Sequence, residues 1–271
     1  MKLSKKQIAD FQSMIFSWWE VNRRDLPWRD TRDPYHILIS EIMLQQTQVS
    51  RGLPKYLEFL KTFPTVFDLA SASVGDVLRI WKGMGYNRRA LFLQKTAIEI
   101  VDTYKGIFPK EEKKLLALPG IGKYTARAMM VFAFELDVTM IDTNIREIIR
   151  THFFGGKQCK ETEIEKVAIQ LLPTGNSWAW HEALMDYGAL ALDRTKNEEK
   201  GKKSVPFKDT NRFIRGRIMD AVRERIWKKK ELVKYIECTH HKDKEKISMN
   251  IEALMNEHLL ENEKNHIQLP K

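Results

Sequence analysis

Cysteine is scarce in this chain: two in 271 residues, Cys159 and Cys238. Two thiols cannot build the disulfide framework of a small secreted domain, and these two form no C-x-x-C pair. Long apolar runs are missing as well, so nothing approaches the ~20 residues that span a bilayer. The basic opening Met1-Lys2-Leu3-Ser4-Lys5-Lys6 runs into Gln7, Asp10 and Gln12 instead of the apolar stretch of a signal peptide. No G-x-x-x-x-G-K nucleotide loop occurs, and His152 and His181 lack metal-ligand spacing. These absences lead to an expectation of a soluble intracellular, cytoplasmic protein with no membrane partner and no metal site.

What is present is helical periodicity and positive charge. Lysine and arginine number 46 against 36 acidic residues, a formal charge of +10, which weakly favours a polyanionic partner. Ser4 with Gln7 forms a capping-box pattern ahead of the stripe Ile8, Phe11, Ile15 and Trp18. Helices fit 35–46, 53–62, 74–82, 88–103, 111–116, 123–134, 143–153, 161–171 and 177–192. Glycine or proline lies between many of them, as at Gly85, Gly106, Pro109, Gly155-Gly156 and Pro173. Few segments alternate with period two, so an all-α domain over 1–195 is expected.

Residues 196–208 read as a charged linker that includes Pro206. Beyond it, 209–271 should form a small separate tail. Phe213, Ile214, Ile218, Val222 and Ile226 make one helical face. Leu232, Val233 and Ile236 suggest a second helix, and Ile247, Ile251, Leu254, Met255 and Leu259 a third. Residues 260–269 suit a β-hairpin wing. Three helices and a wing resemble a winged-helix domain; an irregular helical tail packed on the main domain fits the same pattern.

The chemistry concentrates in three places. Leu118-Pro119-Gly120-Ile121-Gly122-Lys123-Tyr124-Thr125 reads as a helix end, a glycine turn with positive φ at both glycines, and a new helix. Such a hairpin can present amide groups and a helix N-terminus to a phosphate, directly or through a monovalent cation held by carbonyls. Its bland reading is a glycine cap between packed helices. Asp142 opens the next helix; it suits an N-cap, and equally a carboxylate offsetting positive charge on a sugar carbon. Tyr124 and Asn144 could hold it in place. Glu41 sits among Ile39, Ile42, Met43 and Leu44, where partial desolvation would raise its pKa and fit it to donate a proton; an ordinary surface glutamate is the other reading.

Two further clusters suit contact with a DNA strand. Gln45-Gln46-Thr47-Gln48, at the end of the 35–46 helix, could occupy hydrogen bonds vacated by a flipped base. Gly83-Met84-Gly85-Tyr86 precedes Arg88 and Arg89, so Tyr86 could stack while an arginine meets phosphate. Solvent-facing polar residues explain both patterns as composition.

The ordered set Leu26-Pro27-Trp28, Asp33-Pro34-Tyr35, Ser40 to Val49, Gly83-Met84-Gly85-Tyr86, Leu118 to Gly122 and Ile141-Asp142-Thr143-Asn144 resembles the helix-hairpin-helix DNA glycosylase superfamily. Within it, Glu41 with Gln45-Gln46-Thr47 resembles the MutY-type adenine branch. The likeness covers about residues 10–193. It implies a monofunctional glycosylase that hydrolyses the bond to adenine mispaired with 8-oxoguanine or guanine in double-stranded DNA, acting as a monomer. By that resemblance Glu41 protonates adenine N7, and Asp142 stabilises the oxocarbenium ion beside Tyr124 and Asn144. Gln45, Gln46, Gln48, Tyr86, Arg88, Gly120, Gly122, Lys123 and Thr125 would contact DNA. Tyr124 stands where bifunctional relatives carry a Schiff-base lysine.

The departures matter equally. Most relatives end this domain with four cysteines on an iron–sulfur cluster, which the two here cannot supply, so no cluster is expected. The tail after the matched region is expected to be too short for the usual C-terminal domain that reads 8-oxoguanine. Asp142-Thr143 also replaces the common Asp-Gly of this branch and resembles the bifunctional or thymine-removing branches there. A thymine or uracil mismatch glycosylase and a non-catalytic lesion-binding protein are the competing expectations.

Overall fold

A computed structural model describes residues 1–192 and 205–271. In chain order the helices are α1 (Lys5–Asn22), α2 (Pro34–Leu44), α3 (Val49–Thr62), α4 (Val66–Ser71), α5 (Val74–Ile80), α6 (Arg88–Tyr104) and α7 (Glu112–Leu116). Next come α8 (Lys123–Phe132), α9 (Thr143–Phe154), α10 (Glu161–Leu171) and α11 (Ser177–Leu190). The C-terminal segment holds α12 (Asn211–Glu224), β1 (Trp227–Lys228), α13 (Lys229–His240), α14 (Lys244–Asn256), β2 (Glu261–Glu263) and β3 (His266–Gln268). The protein is mainly helical, and none of the described helices is long and apolar enough to cross a membrane.

Local chemistry accounts for the element ends. Ser4 caps α1 in the expected box with Gln7. The sequence reading missed α4, although Thr65 and Asp68 form a second reciprocal capping box at its start. It also ran α2 two residues too far. The helix stops at Leu44, and Gln46, expected as its last residue, lies outside it with a left-handed φ of 54°.

The described residues divide into two compact units, one from 1–41 with 108–192 and the other from 42–107 with 205–271. This cuts the chain at other places than the expected 1–195 and 209–271. Most of the expected linker, 196–204, lies outside the described residues. The first unit is built around Phe11, Ile15, Ile145, Ile148, Val167 and Trp180, contributed by α1, α9, α10 and α11.

The second unit combines α3–α6 with the C-terminal segment. Phe59, Leu69, Leu78, Trp81 and Leu93 are buried within its helical part. In the C-terminal segment β3 lies between β1 and β2, both antiparallel to it. Lys264 and Asn265, both with positive φ, turn the β2–β3 hairpin. The order helix, strand, two helices, two strands is a winged-helix arrangement over a core of Ile218, Leu232, Ile236, Ile251 and Ile267. Two details differ from expectation. Strand β1 was not foreseen, and Ile226 lies beyond the end of α12, 56% exposed.

The last residues of the chain dock on α5. Gly75 N–H donates to the Pro270 carbonyl at 2.8 Å, and a Cβ at Gly75 would lie 2.7 Å from that oxygen. Gly75→Ala should therefore cost about 1–3 kcal/mol as overpacking, measured as a lower urea midpoint with unchanged slope. An unaltered midpoint would mean that this docking contributes nothing.

Candidate active site

Glu41 owes its setting to α2. Asp33 accepts a hydrogen bond from Tyr35 N–H at 2.8 Å at the start of this helix, and Ile37, Leu38, Ile39, Ile42 and Met43 are all 4% exposed or less. Glu41 falls in the same run and is 8% exposed. Burial pushes its carboxyl up to about 8; the Glu182 charge adds to the rise, a hydrogen bond from the Tyr124 hydroxyl opposes it, and Asp142 adds further. Glu41 is therefore largely protonated at neutral pH. The surface-glutamate reading fails.

Tyr124 reaches Glu41 from the second position of α8. The hairpin before it turns at Gly120, whose φ is +76°. Gly122 departs from expectation: its backbone is ordinary and extended (φ −93°, ψ 176°) and forms the N-cap of α8. A Cβ there would meet nothing within 4 Å, so its surroundings are open. The first amides of α8 have no acceptor within the helix. Burial raises the Tyr124 hydroxyl well above its ordinary value, and the charges of Glu41 and Asp142 raise it further.

Asp142 caps α9, its Oδ1 accepting from Ile145 N–H at 2.7 Å. The helix start favours a negative charge at that point. The strand of backbone leading to it is anchored by His181, which is buried and held neutral, with a pKa lowered by burial to about 4. Its Nε2 accepts from Met140 N–H at 3.2 Å, and its Nδ1 lies 2.8 Å from the Ser177 carbonyl, to which it donates. Asn144 packs against Gly188 of α11, where a Cβ would come within 2.7 Å of the Asn144 Cβ. Glycine at 188 lets α9 and α11 approach this closely.

Three contributors were not foreseen. The Leu26-Pro27-Trp28 motif folds as a 3₁₀ turn, Pro27–Arg29, that buries the Arg29 guanidinium. Arg29 donates both Nη groups to Asp186 at 2.8 Å, and its Nε lies 2.5 Å from Glu182. Asp186 also accepts from Trp19 Nε1 at 2.9 Å and from Arg24 N and Nε at 3.1 and 2.5 Å. Against the upward push of burial, the hydrogen bonds from Arg29 and Arg24 hold Asp186 below its ordinary range. Glu182 is raised to about 7 by burial, with Arg29 opposing. The available signal was Glu182 and Asp186 at i,i+4 on one apolar helix, a spacing that suits a single guanidinium.

The remaining candidates separate clearly. Lys123 is exposed and pairs with Glu165 at 3.0 Å. The Thr125 side chain is buried, so only its main chain can face a ligand. In the second unit, Gln45, Gln46, Tyr86 and Arg88 line one cleft. Gln48 is exposed at the start of α3. Arg89 is not a solvent cation. It donates to the carbonyls of Ile42, Met43, Gln45, Met84 and Gly85, closing the end of α2.

This hairpin, with an acid-bearing helix to either side, is a base-excision architecture, and residues 39–174 match the HhH-GPD superfamily base excision DNA repair protein family. The chain belongs to that family. It is 33% identical over 232 residues to the adenine DNA glycosylase of Mycolicibacterium smegmatis, covering 78% of this chain and 79% of that one. It is 36% identical to the adenine DNA glycosylase of Buchnera aphidicola subsp. Baizongia pistaciae, over 66% of this chain and 52% of the relative. Among solved structures, a thermostable thymine-DNA glycosylase aligns with a TM-score of 0.66 at 32% identity, covering 70% of this chain and 90% of that one. Cys159 and Cys238 lie in different units and are too few for a four-thiolate cluster. No group of three or more metal-ligating side chains occurs among the described residues.

The buried acid has a measurable signature. Between its ordinary 4.5 and about 8, Glu41 keeps a proton in the folded chain that the unfolded chain has lost. Folding stability contributed by this group therefore falls as pH rises through that window. Glu41→Gln has no such proton to lose and should melt higher than the parent at alkaline pH, by on the order of a few °C. The gap should close below the window; a gap independent of pH would show that Glu41 titrates normally.

Proposed function

We propose that the chain is a monofunctional adenine DNA glycosylase, hydrolysing the N-glycosidic bond of adenine opposite 8-oxoguanine or guanine in double-stranded DNA. The observation that carries this reading is a buried carboxyl, Glu41, that holds its proton near neutrality while Asp142 presents its carboxylate from a helix start and Tyr124 stands with both. Environments that separate two acids in this way divide the roles of proton donor and charge stabiliser. The matches to adenine DNA glycosylases support the choice of base.

In the proposed reaction Glu41 gives its proton to adenine N7. The C1′–N9 bond then breaks with its electron pair passing to the base, and the Asp142 carboxylate offsets the positive charge left on C1′. Water adds to C1′ and returns a proton to Glu41, leaving an abasic sugar and free adenine. Tyr124 and Asn144 position the acids. No amine stands at the Tyr124 position to form an imine with the sugar, so strand cleavage is not part of the activity. The Gly120–Gly122 hairpin holds a DNA phosphate through main-chain amides, directly or through a monovalent cation, and the enzyme acts as a monomer without an iron–sulfur cluster.

Single-turnover assays on duplexes bearing A:8-oxoguanine, A:G, T:G and U:G test the assignment, with alkali treatment to reveal abasic sites. Product from the two adenine duplexes is expected. Product only from T:G or U:G would transfer the chain to the thymine-DNA glycosylase reading that its structural neighbour supports, and no product at all would favour a lesion-binding protein. Asp142→Asn should lower turnover by at least ~10²-fold while duplex binding persists, the scale of losing one electrostatic stabiliser. Near-normal turnover in that variant would remove Asp142 from the mechanism.

The pH profile follows from the same acid. Because the protonated form of Glu41 is the working one, turnover should fall above about pH 8. Glu182→Gln removes a charge that helps keep Glu41 protonated, so the alkaline limb should move to lower pH. A limb that stays in place would leave Glu182 with a packing role alone.

A further inference from the structure

Within the second unit the turn at Tyr86 faces α12 across a cleft of about 870 Å³. Tyr86 is 43% exposed and holds a left-handed φ of 44° between two positive-φ glycines and α6. A tyrosine in that conformation stores strain that open loops do not keep without cause. The Arg212 guanidinium lies over the Tyr86 ring, 4.1 Å from its centroid, and 5.6 Å from the centroid of Phe207, itself 59% exposed. The three side chains form an open tier of two rings and one planar cation.

The charges around this tier are out of balance. Its walls include Arg51, Arg88, Arg89, Arg212, Arg215, Arg217 and Arg223 against one acid, Asp220. Asp220 is already shared by Arg217 and Arg223, Arg215 is paired with Glu257, and Arg89 is committed to main-chain carbonyls. Arg51, Arg88 and Arg212 form no ion pair with any described residue. Arg212 also works against Arg89, whose pKa is lowered to about 10, first by burial and then by this like charge. Holding such cations together favours an anion in the space between them. Aromatic faces beside unpaired guanidiniums are the chemistry that takes an unstacked base with its phosphate, and arginine planes stack on bases as rings do.

We propose that this cleft is a second nucleotide site, which takes one unstacked DNA nucleotide with its base on the Tyr86–Arg212–Phe207 tier and its phosphate on Arg51 or Arg88. The site shares no residue with the Glu41, Tyr124 and Asp142 cluster. It rests on the DNA-binding part of the function proposed above, and it gives α12 of the winged-helix segment a direct part in holding DNA. Stacking is tolerant of base identity, so the site selects for an extruded nucleotide and not for a particular base.

The test uses the full chain and two labelled duplexes of one sequence, fully paired or carrying a single extrahelical 2-aminopurine nucleotide. The parent protein should bind the second duplex more tightly and quench its 2-aminopurine emission. Phe207→Ala and Arg212→Ala should each weaken that binding by about tenfold and relieve the quenching, with little effect on the paired duplex. Arg212→Lys should keep the salt dependence but lose quenching, and Lys61→Ala, an equal charge loss on α3 outside the cleft, should change neither. Phe207 and Arg212 are exposed, and matching melting curves establish that the variants fold. Equal weakening on both duplexes, or no quenching by the parent, would overturn the proposal. Adenine release is scored separately, so binding as described without release would fail the enzymatic reading and leave this one standing.

Discussion

Arg29 decides how the buried acids of the first unit behave. Its planar guanidinium meets Asp186 with two parallel hydrogen bonds and Glu182 with its remaining edge. Bidentate geometry of this kind can offset the cost of burying charge, which a lone carboxylate cannot meet. Arg24 and Trp19 complete the shell of Asp186. Arg24 and Arg29 are engaged by acids of α11, and Glu41 accepts its hydrogen bond from the Tyr124 hydroxyl. Burial then acts on Glu41 without a cation to oppose it, and the group keeps a proton that an ordinary glutamate would have lost. The ion pairs thus do their chemical work by leaving one acid out.

Asp142 has a different setting, at the start of α9. Its acceptor oxygen is occupied by the Ile145 amide at the start of α9, where the helix offers partial positive charge. The approach of the chain to that point is fixed by a neutral histidine bonded at both ring nitrogens. Two residues with the same functional group thus stand in different surroundings, one buried against a tyrosine hydroxyl and one at a helix start.

Much of this was legible in the sequence, and the remainder was hidden for identifiable reasons. Caps and periodicity marked most helices to within a few residues, and Glu41, Tyr124 and Asp142 stood out because each sits in a motif with local logic. The hairpin wing was visible from alternating Ile267 and Leu269. Arg29, Glu182 and Asp186 were not, because their significance arises from pairing across more than 150 positions, which no window along the chain can contain. Gly122 was misjudged for a different reason. Glycine serves both positive φ and close approach, and sequence alone does not say which. Gln46 was misplaced because Arg89, 43 residues later, gathers the carbonyls that end α2 after Leu44.

Net charge gives the poorest account of how the chain meets DNA. A formal charge of +10 suggests a generally cationic surface, yet many of the arginines are engaged inside the fold. Arg89 holds five main-chain carbonyls; Arg223 donates to the Leu78 carbonyl and to Asn87, pinning α12 to the helices before it. Such cations shape the Tyr86 turn but have little left to offer a phosphate. The relevant quantity is the set of guanidiniums without an acidic partner among the described residues, and three of these, Arg51, Arg88 and Arg212, line the Tyr86 cleft. A protein that uses its arginines first as scaffold and only then as ligands can present a small, rigid cationic site, for which the total charge is a poor guide.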